Sequence, residues 1–102
     1  MEIRTEKRSG QLTAYLIGEI DHHNAKEARL KLDILIDEEK PDEFFLDLSR
    51  VTFCDSSGLG LVMGRMKKCA SSGSRMTVKN PSKAAYKILE IAGMDKILKI
   101  ES

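Results

Sequence analysis

The spacing of hydrophobic positions changes along the chain, and each change predicts a new element of secondary structure. Residues 2 to 7 and 11 to 18 are predicted to form two strands, joined by a hairpin turn at Ser9-Gly10. The second strand alternates in the way that is typical of a half-buried strand. Its two alternating sets are Leu12, Ala14 and Leu16 and, on the other face, Thr13, Tyr15 and Ile17.

Three later segments repeat apolar residues at three- and four-residue intervals, which predicts three helices. Asn24 and Glu27 resemble a capping box at the start of the first helix, and Pro41 follows its end. The predicted helices run from about Asn24 to Glu39, from near Ser56 to about Ser71, and from Asn80-Pro81-Ser82 to Gly93. Their predicted core stripes are Ala25, Ala28, Leu32, Leu35 and Ile36; Leu59, Val62, Met63, Met66 and Ala70; and Ala85, Ile88, Leu89 and Ala92.

Short apolar runs between the helices predict further strands. The run Phe44-Phe45-Leu46-Asp47-Leu48 is nearly continuous, which favours a central strand covered on both sides. Met76-Thr77-Val78 and the segment with Ile97, Leu98 and Ile100 are the other two. Alternation of strands and helices predicts an α/β fold with a mixed, mostly parallel sheet of four to five strands, flanked by three helices.

Length and composition limit the class of protein. The 102 residues form one domain, 1–102, and 41% apolar with 32% charged residues indicates a globular chain. The net charge of +1 lacks the basic excess of a nucleic-acid binder, and the short basic cluster Arg65, Lys67 and Lys68 is interpreted as a solvated face. Without a signal peptide or a membrane-length apolar run we expect a cytoplasmic protein. Cys54 and Cys69 are expected to be reduced and to act as small hydrophobes.

The segment between the central strand and the second helix carries the most informative chemistry. Asp55 is predicted to cap the helix by accepting backbone N–H bonds, which leaves Ser56 at the first helical position with a free hydroxyl. A phosphate on Ser56 would meet the positive end of the helix dipole and free N–H groups. Gly58, Gly60 and Gly64 each cost roughly 1 kcal/mol relative to alanine inside a helix, so we expect a close backbone approach to the sheet or to a partner, with tight internal packing as the alternative.

Other chemistries fit the sequence poorly. The serine segment has neither the Gly-Lys-Ser/Thr of a phosphate-binding loop nor a Gly-x-Ser-x-Gly elbow. His22 and His23 lack companions for a metal site, and no cysteine pair has zinc spacing, so we expect no metal or cofactor. Their segment, Glu19 to His23, is a second strand-to-helix loop, and the parallel topology is predicted to place it beside the serine loop.

Three apolar residues lie off the predicted core stripes. Leu30 and Ile34 are one turn apart on the opposite face of the first helix, and self-association through them is an open question. Leu61 is about opposite Leu59 on the second helix, and our hypothesis is that it belongs to a partner patch next to Ser56.

The motif Asp55-Ser56-Ser57-Gly58-Leu59-Gly60, after Leu48-Ser49 and before Gly64-Arg65, resembles the signature of STAS-domain anti-sigma-factor antagonists. Gly18-Glu19-Ile20-Asp21-His22-His23-Asn24-Ala25 further resembles the anti-sigma-F factor antagonists of endospore-forming bacteria. The Asp-His-His part favours this sporulation branch over the general-stress branch. The resemblance covers essentially the whole chain.

The resemblance implies a partner-switching cycle in transcription regulation, without enzyme activity in this chain. The unphosphorylated form binds an anti-sigma factor serine kinase and releases the sigma factor, the kinase phosphorylates Ser56, and a PP2C-type phosphatase reverses the step. It also implies that Asp55 orients the serine loop. The other residues that it places at the partner are Asp21, His22, Ser57, Gly58 and Arg65.

Two other classes of function remain open alternatives: a nucleotide-binding STAS module, and a structural STAS subunit of a lipid-transport or stress-sensing complex. Ser57 also remains open as the phosphate acceptor. The sequence does not identify the sigma factor or the kinase, and the free chain is expected to be a monomer or a weak dimer.

Overall fold

The computed structural model describes residues 1–102 and has a single five-stranded sheet with three helices. The elements in chain order are β1 Glu2–Arg8, β2 Gln11–Ile20, α1 His22–Glu39, β3 Glu43–Cys54, α2 Ser57–Ser72, β4 Arg75–Lys79, α3 Lys83–Ile91, a 3-10 turn Met94–Lys96 and β5 Ile100–Glu101. Strand order in the sheet equals chain order. β1 is antiparallel to β2 and the other neighbours are parallel, so the predicted mixed, mostly parallel α/β sheet is confirmed. None of the helices is both long and apolar enough to cross a membrane.

One contiguous core lies between the sheet and the helices. It contains alternate residues of β2 and β3 together with residues from all three helices. Each of the three parallel connections, through α1, α2 and α3, leads to the next strand in the same direction across the sheet. Because such connections are right-handed, they place all three helices on one face of the sheet. The helices contribute Ala25, Ala28, Leu32, Ile36, Leu61, Val62, Cys69, Ala85 and Leu89.

The prediction that the Phe44–Leu48 run is covered on both sides is therefore wrong. Phe44, Leu46 and Leu48 are at most 1% exposed, whereas Phe45 is half-buried on the opposite face, where the Lys79 Nζ lies 5.2 Å from its ring centroid. Asp47 is buried on that face because Ser49 and Asn80 donate hydrogen bonds to its carboxylate. The strand alternates as strands with one open face do.

Two element boundaries differ from the prediction because backbone contacts decide them. β3 continues to Cys54, since its second half pairs with β2 alone after its pairing with β4 ends at Asp47. Helix α1 begins at His22, and its cap is Asp21 rather than Asn24, because the Asp21 carboxylate accepts the Asn24 N–H at 2.8 Å. At the C-terminus only Ile100 and Glu101 are strand, and Ile97 is exposed.

The predicted core face of α2 is rotated relative to the observed one. Leu59, Met63 and Met66 only border the core and Ala70 is exposed. The buried residues are Gly58, Leu61, Val62, Arg65 and Cys69. This face is the buried one because α2 packs against α1 as well as against the sheet. The polar Arg65 is therefore enclosed between two helices. The prediction that Leu61 lies off the core face of α2, in a partner patch next to Ser56, is wrong as to its placement, since Leu61 is 2% exposed and belongs to the core.

We expect Leu61→Ala to lower the free energy of unfolding by about 2–5 kcal/mol, because it removes a fully buried side chain and leaves a cavity. Ile91→Ala is the matched control: Ile91 is 73% exposed, so its truncation should change stability by no more than about 0.5 kcal/mol. Urea unfolding followed by circular dichroism measures both. Equal effects of the two substitutions would contradict the observed face of α2.

Candidate functional site

The two strand-to-helix loops lie side by side, as predicted. Parallel pairing of β2 with β3 sets Glu19 opposite Phe53 and Ile20 opposite Cys54. The pairing continues one step further, because the Asp55 N–H donates to the Ile20 carbonyl at 3.1 Å. The segments that start α1 and α2 therefore leave the same edge of the sheet together.

The serine loop is closed by Asp55. Its Oδ1 accepts the Ser57 N–H at 2.8 Å and its backbone carbonyl accepts the Gly58 N–H at 3.0 Å, which confirms the predicted cap. Ser56 already has helical backbone angles, φ −63° and ψ −17°, and its exposed side chain makes no cap hydrogen bond. The Ser56 hydroxyl is therefore free in solvent at the start of a helix.

The first turn of α2 leaves a phosphate fewer donors than expected. The N–H groups of Ser57 and Gly58 are bonded to Asp55, and that of Leu59 donates to the Ser56 carbonyl at 3.1 Å. The expectation of a row of free N–H groups is wrong, because Asp55 and the tight turn already use them. A phosphate on Ser56 would keep its charge in solvent, close to the Asp55 carboxylate.

The second loop is ordered by its own hydrogen bonds. Asp21 caps α1, and the Asn24 side chain donates to the Glu19 carbonyl at 3.0 Å. His22 and His23 are both exposed, and the His23 Nε2 lies 4.0 Å from a Glu27 carboxylate oxygen. No three His, Cys, Asp or Glu side chains converge to hold a metal ion.

An open cleft of about 430 Å³ separates the N-terminal halves of α1 and α2. Its charged residues, Lys26 and Arg29, form no ion pair with any acidic side chain of the chain. The full lining is His22, Ala25, Lys26, Arg29, Ser57, Gly60 and Leu61. The two basic residues were not among the predicted site residues, although their spacing from His22 is that of one helix face.

Gly58 lies at the tightest contact of the site. It is buried, and a Cβ added to it would stand 2.4 Å from the Cys54 Sγ and 3.7 Å from a methyl carbon of Ile20. Burial, and secondarily the Asp55 charge, raises the pKa of the Cys54 thiol to about 11, so the sulfur packs as a neutral group. Close approach explains this glycine but not Gly60 or Gly64, which face open space.

Arg65 connects the two helices instead of facing a partner. Its side chain is 6% exposed, and its Nε lies 2.8 Å from the Asp33 Oδ1, although the N–H does not align on that oxygen. Burial lowers the pKa of the guanidinium despite the Asp33 charge. The Lys68 Nζ contacts the exposed Asp37 carboxylate at 2.9 Å, so the interpretation of this basic cluster as a solvated face is wrong for the buried Arg65, whereas Lys67 is exposed and Lys68 forms a surface ion pair.

The predicted site residues thus fall into two groups. Asp21, His22, Asp55 and Ser57 lie in or beside the paired loops around Ser56, and each keeps some exposure. Gly58, Leu61 and Arg65 are buried in α2. Phe53 was not among the predicted site residues, yet it is 48% exposed at the end of β3, two residues before Asp55.

Comparison with known protein families supports the resemblance. The STAS domain model matches residues 2–102. Over 100 residues the chain is 33% identical to the anti-sigma F factor antagonist of Paenibacillus polymyxa, covering 98% of this chain and 86% of the relative. It is 26% identical over 102 residues to the anti-sigma-B factor antagonist of Bacillus subtilis, covering 100% of this chain and 92% of the relative.

Solved structures of anti-sigma factor antagonists are also similar to this chain. The unphosphorylated form of the anti-sigma factor antagonist SpoIIAA superposes with a TM-score of 0.81 at 27% identity, covering 99% of this chain and 89% of that one. The phosphorylated form of SpoIIAA from Bacillus superposes with a TM-score of 0.74 at 27% identity, covering 99% and 92%. Both forms of that protein therefore share the fold described above.

We expect Gly58→Ala to destabilise the chain by about 1–3 kcal/mol, because the added methyl overlaps the Cys54 sulfur. Gly60→Ala and Gly64→Ala should instead stabilise it by up to roughly 1 kcal/mol each, since their Cβ positions are open. Denaturant unfolding of the three variants measures these changes.

A double-substitution cycle provides the control. In a Cys54→Ala background the overlapping sulfur is absent, so Gly58→Ala should cost clearly less than in the native chain. An identical cost in both backgrounds would rule out the Cys54 contact as the reason for glycine at this position.

Proposed function

The chain belongs to the STAS domain family, and we propose that, as an anti-sigma factor antagonist, it binds an anti-sigma factor with serine kinase activity and is turned off by phosphorylation of Ser56. The unphosphorylated form holds the anti-sigma factor and so frees the sigma factor. A PP2C-type phosphatase removes the phosphate and restores binding.

One observation supports Ser56 most directly: its hydroxyl is exposed and has no hydrogen bond, while the neighbouring Asp55 supplies the cap of α2. A kinase can therefore transfer a phosphoryl group to this oxygen without breaking an existing contact. Ser57 is less suited, because it is half-buried and lines the cleft between the helices. The same exposure of Ser56 gives a phosphatase access to the product.

The proposed effect of the phosphate is electrostatic and local. The phosphate adds about −1.5 to −2 charges at pH 7. This charge would lie close to Asp55, and the N–H groups of Ser57, Gly58 and Leu59 are already bonded and cannot receive it. An interface packed around a neutral hydroxyl would have to desolvate this charge beside a carboxylate. A hundredfold loss of affinity needs only about 2.8 kcal/mol, so no change of fold is required.

We propose that the partner surface consists of the exposed parts of the two loops and the cleft beside them. Phe53 offers an exposed aromatic ring of the kind that is enriched at protein interfaces. Lys26 and Arg29 offer unpaired positive charge that suits acidic residues of the anti-sigma factor. Asp21, His22 and Ser57 complete the contact, whereas Leu61 and Arg65 support it from within α2.

A second candidate function is nucleotide binding in the same cleft. The observation in its favour is the pair of unpaired cations, Lys26 and Arg29, beside the start of α2, since phosphates bind where basic side chains and helix N-termini meet. Titration of ATP and GTP into the unphosphorylated chain tests it. Micromolar affinity that Lys26→Glu abolishes would support this function, and millimolar or weaker affinity would dismiss it.

Incubation with an anti-sigma factor kinase from the same genome and ATP should add one phosphate to the native chain and to Ser57→Ala, and none to Ser56→Ala. Intact-protein mass spectrometry counts the phosphates. Ser56→Ala should still bind the kinase in a pull-down, because removing a solvent-exposed hydroxyl leaves the interface neutral.

The Ser57→Ala variant is the matched control, since it removes a hydroxyl one position away. Phosphate on Ser56→Ala but not on Ser57→Ala would move the acceptor to Ser57. Neither phosphate nor binding in any variant would contradict the proposed switch itself.

Phosphorylation should change backbone amide chemical shifts mainly within residues 19–23 and 53–58, because the charge stays in solvent and the core contacts are unaltered. Two-dimensional nitrogen–proton NMR spectra of both forms measure this, with the Ser56→Ala variant treated with kinase as the control. Large shift changes in β4 or α3 would show that the phosphate acts through the fold.

A further inference from the structure

The outer edge of β1 carries charges of alternating sign. β1 is the first strand of the sheet and has a neighbour on one side only. Glu2, Arg4, Glu6 and Arg8 are alternate residues and therefore lie on one face of this strand. Glu2 and Arg4 pair with each other at 2.6 Å, Glu6 accepts a hydrogen bond from the Tyr15 hydroxyl, and Arg8 has no acidic partner within its own chain.

We propose that two copies of this chain associate through their β1 edges, antiparallel and centred on Thr5, so that their sheets join into one. In this register Glu2 of each copy lies opposite Arg8 of the other, and Arg4 lies opposite Glu6. Each charge on the shared face thus meets an opposite charge, and such cross-strand pairs stabilise a sheet. A two-fold axis through Thr5 makes the interface self-complementary, as a closed dimer requires.

The charge pattern selects this register against its neighbours. A shift of two residues in one direction sets Glu6 opposite Glu6 and Arg4 opposite Arg8. A shift in the other direction sets Arg4 opposite Arg4 and Glu2 opposite Glu6. Charges on an edge strand usually discourage pairing, but here they oppose the two registers shifted by two residues and favour the one centred on Thr5.

An apolar groove above the same edge supplies the burial that charges alone do not. It has a volume of about 340 Å³ between β1 and α1 and is lined by Ile3, Thr5, Lys31, Ile34 and Leu35. Ile34 is 56% exposed, and Leu30, one helical turn away, is 54% exposed. All helices lie on one face of the sheet, so joining two β1 edges brings the α1 helices and these apolar residues of both copies to the same side.

The proposed dimer goes beyond the switch and does not depend on it. The Ser56 loop is at the end of β3, two strands away from the β1 edge. The two-fold axis would place the two serine loops at opposite ends of the joined sheet, free for two separate partners. Dimerisation is therefore measurable in the unphosphorylated chain without any kinase.

The test exchanges charges between copies. Arg8→Glu alone puts like charges opposite Glu2 in a dimer, and Glu2→Arg alone puts like charges opposite Arg8. Each variant should raise the dimer dissociation constant at least about tenfold relative to the native chain. An equimolar mixture of the two should recover native-like dimerisation, because every outer position then meets its opposite. Sedimentation velocity over a concentration series at low ionic strength measures all three samples, since salt screens exposed pairs.

Lys87→Glu on α3 is the matched control, because Lys87 is exposed and forms no ion pair; it should dimerise like the native chain. Thermal unfolding of each variant checks that the fold is kept. A native chain that stays monomeric at millimolar concentration would overturn the proposal. So would two single variants that dimerise normally, or a mixture that stays monomeric.

Discussion

The structure depends on the parallel pairing of β2 with β3. This pairing continues to the last residue of each strand, Ile20 opposite Cys54, and beyond it to the hydrogen bond from Asp55 to Ile20. Because both strands end at one level, α1 and α2 start side by side, each with an aspartate cap, Asp21 and Asp55. The exposed serine, the histidine loop and the cleft between the helices all follow from this shared edge.

The packing of Gly58 explains how the turn that carries Ser56 is held against the sheet. The backbone of α2 can lie this close to the Cys54 sulfur only where no Cβ intervenes, and this approach holds the first turn of the helix against the sheet. Ser56 precedes the contact and Asp55 uses the first N–H groups. The hydroxyl therefore belongs to a hydrogen-bonded turn but takes part in none of its bonds, so a group attached to that oxygen would project from the surface and leave the core contacts in place.

Periodicity and turn residues were sufficient to predict the order of elements, the mixed sheet, the Asp55 cap and the neighbouring loops. They were insufficient where tertiary contacts outweigh local pattern. The predicted core face of α2 was wrong because the charged Arg65 is buried beside Asp33, while Met63 and Met66 only border the core. The extent of β3 was underestimated because β2 supplies the hydrogen bonds of a segment, Ser49 to Cys54, that lacks a strong apolar pattern. Phe53 and the two cleft cations were missed because exposure depends on neighbours that are distant in sequence.

The charges on α1 and α2 divide the helix pair into two regions with different roles. Towards their C-terminal halves, Asp33 with Arg65 and Asp37 with Lys68 connect the helices. Towards the N-termini, Lys26 and Arg29 line an open cleft without acidic partners. The ion pairs connect the helices beside the cleft, so its backbone walls are in place before any partner binds, which lowers the conformational cost of binding. A phosphate at Ser56 would add about −1.5 to −2 charges beside this surface and next to Asp55, and in the function proposed here that charge would weaken partner binding without a change of fold.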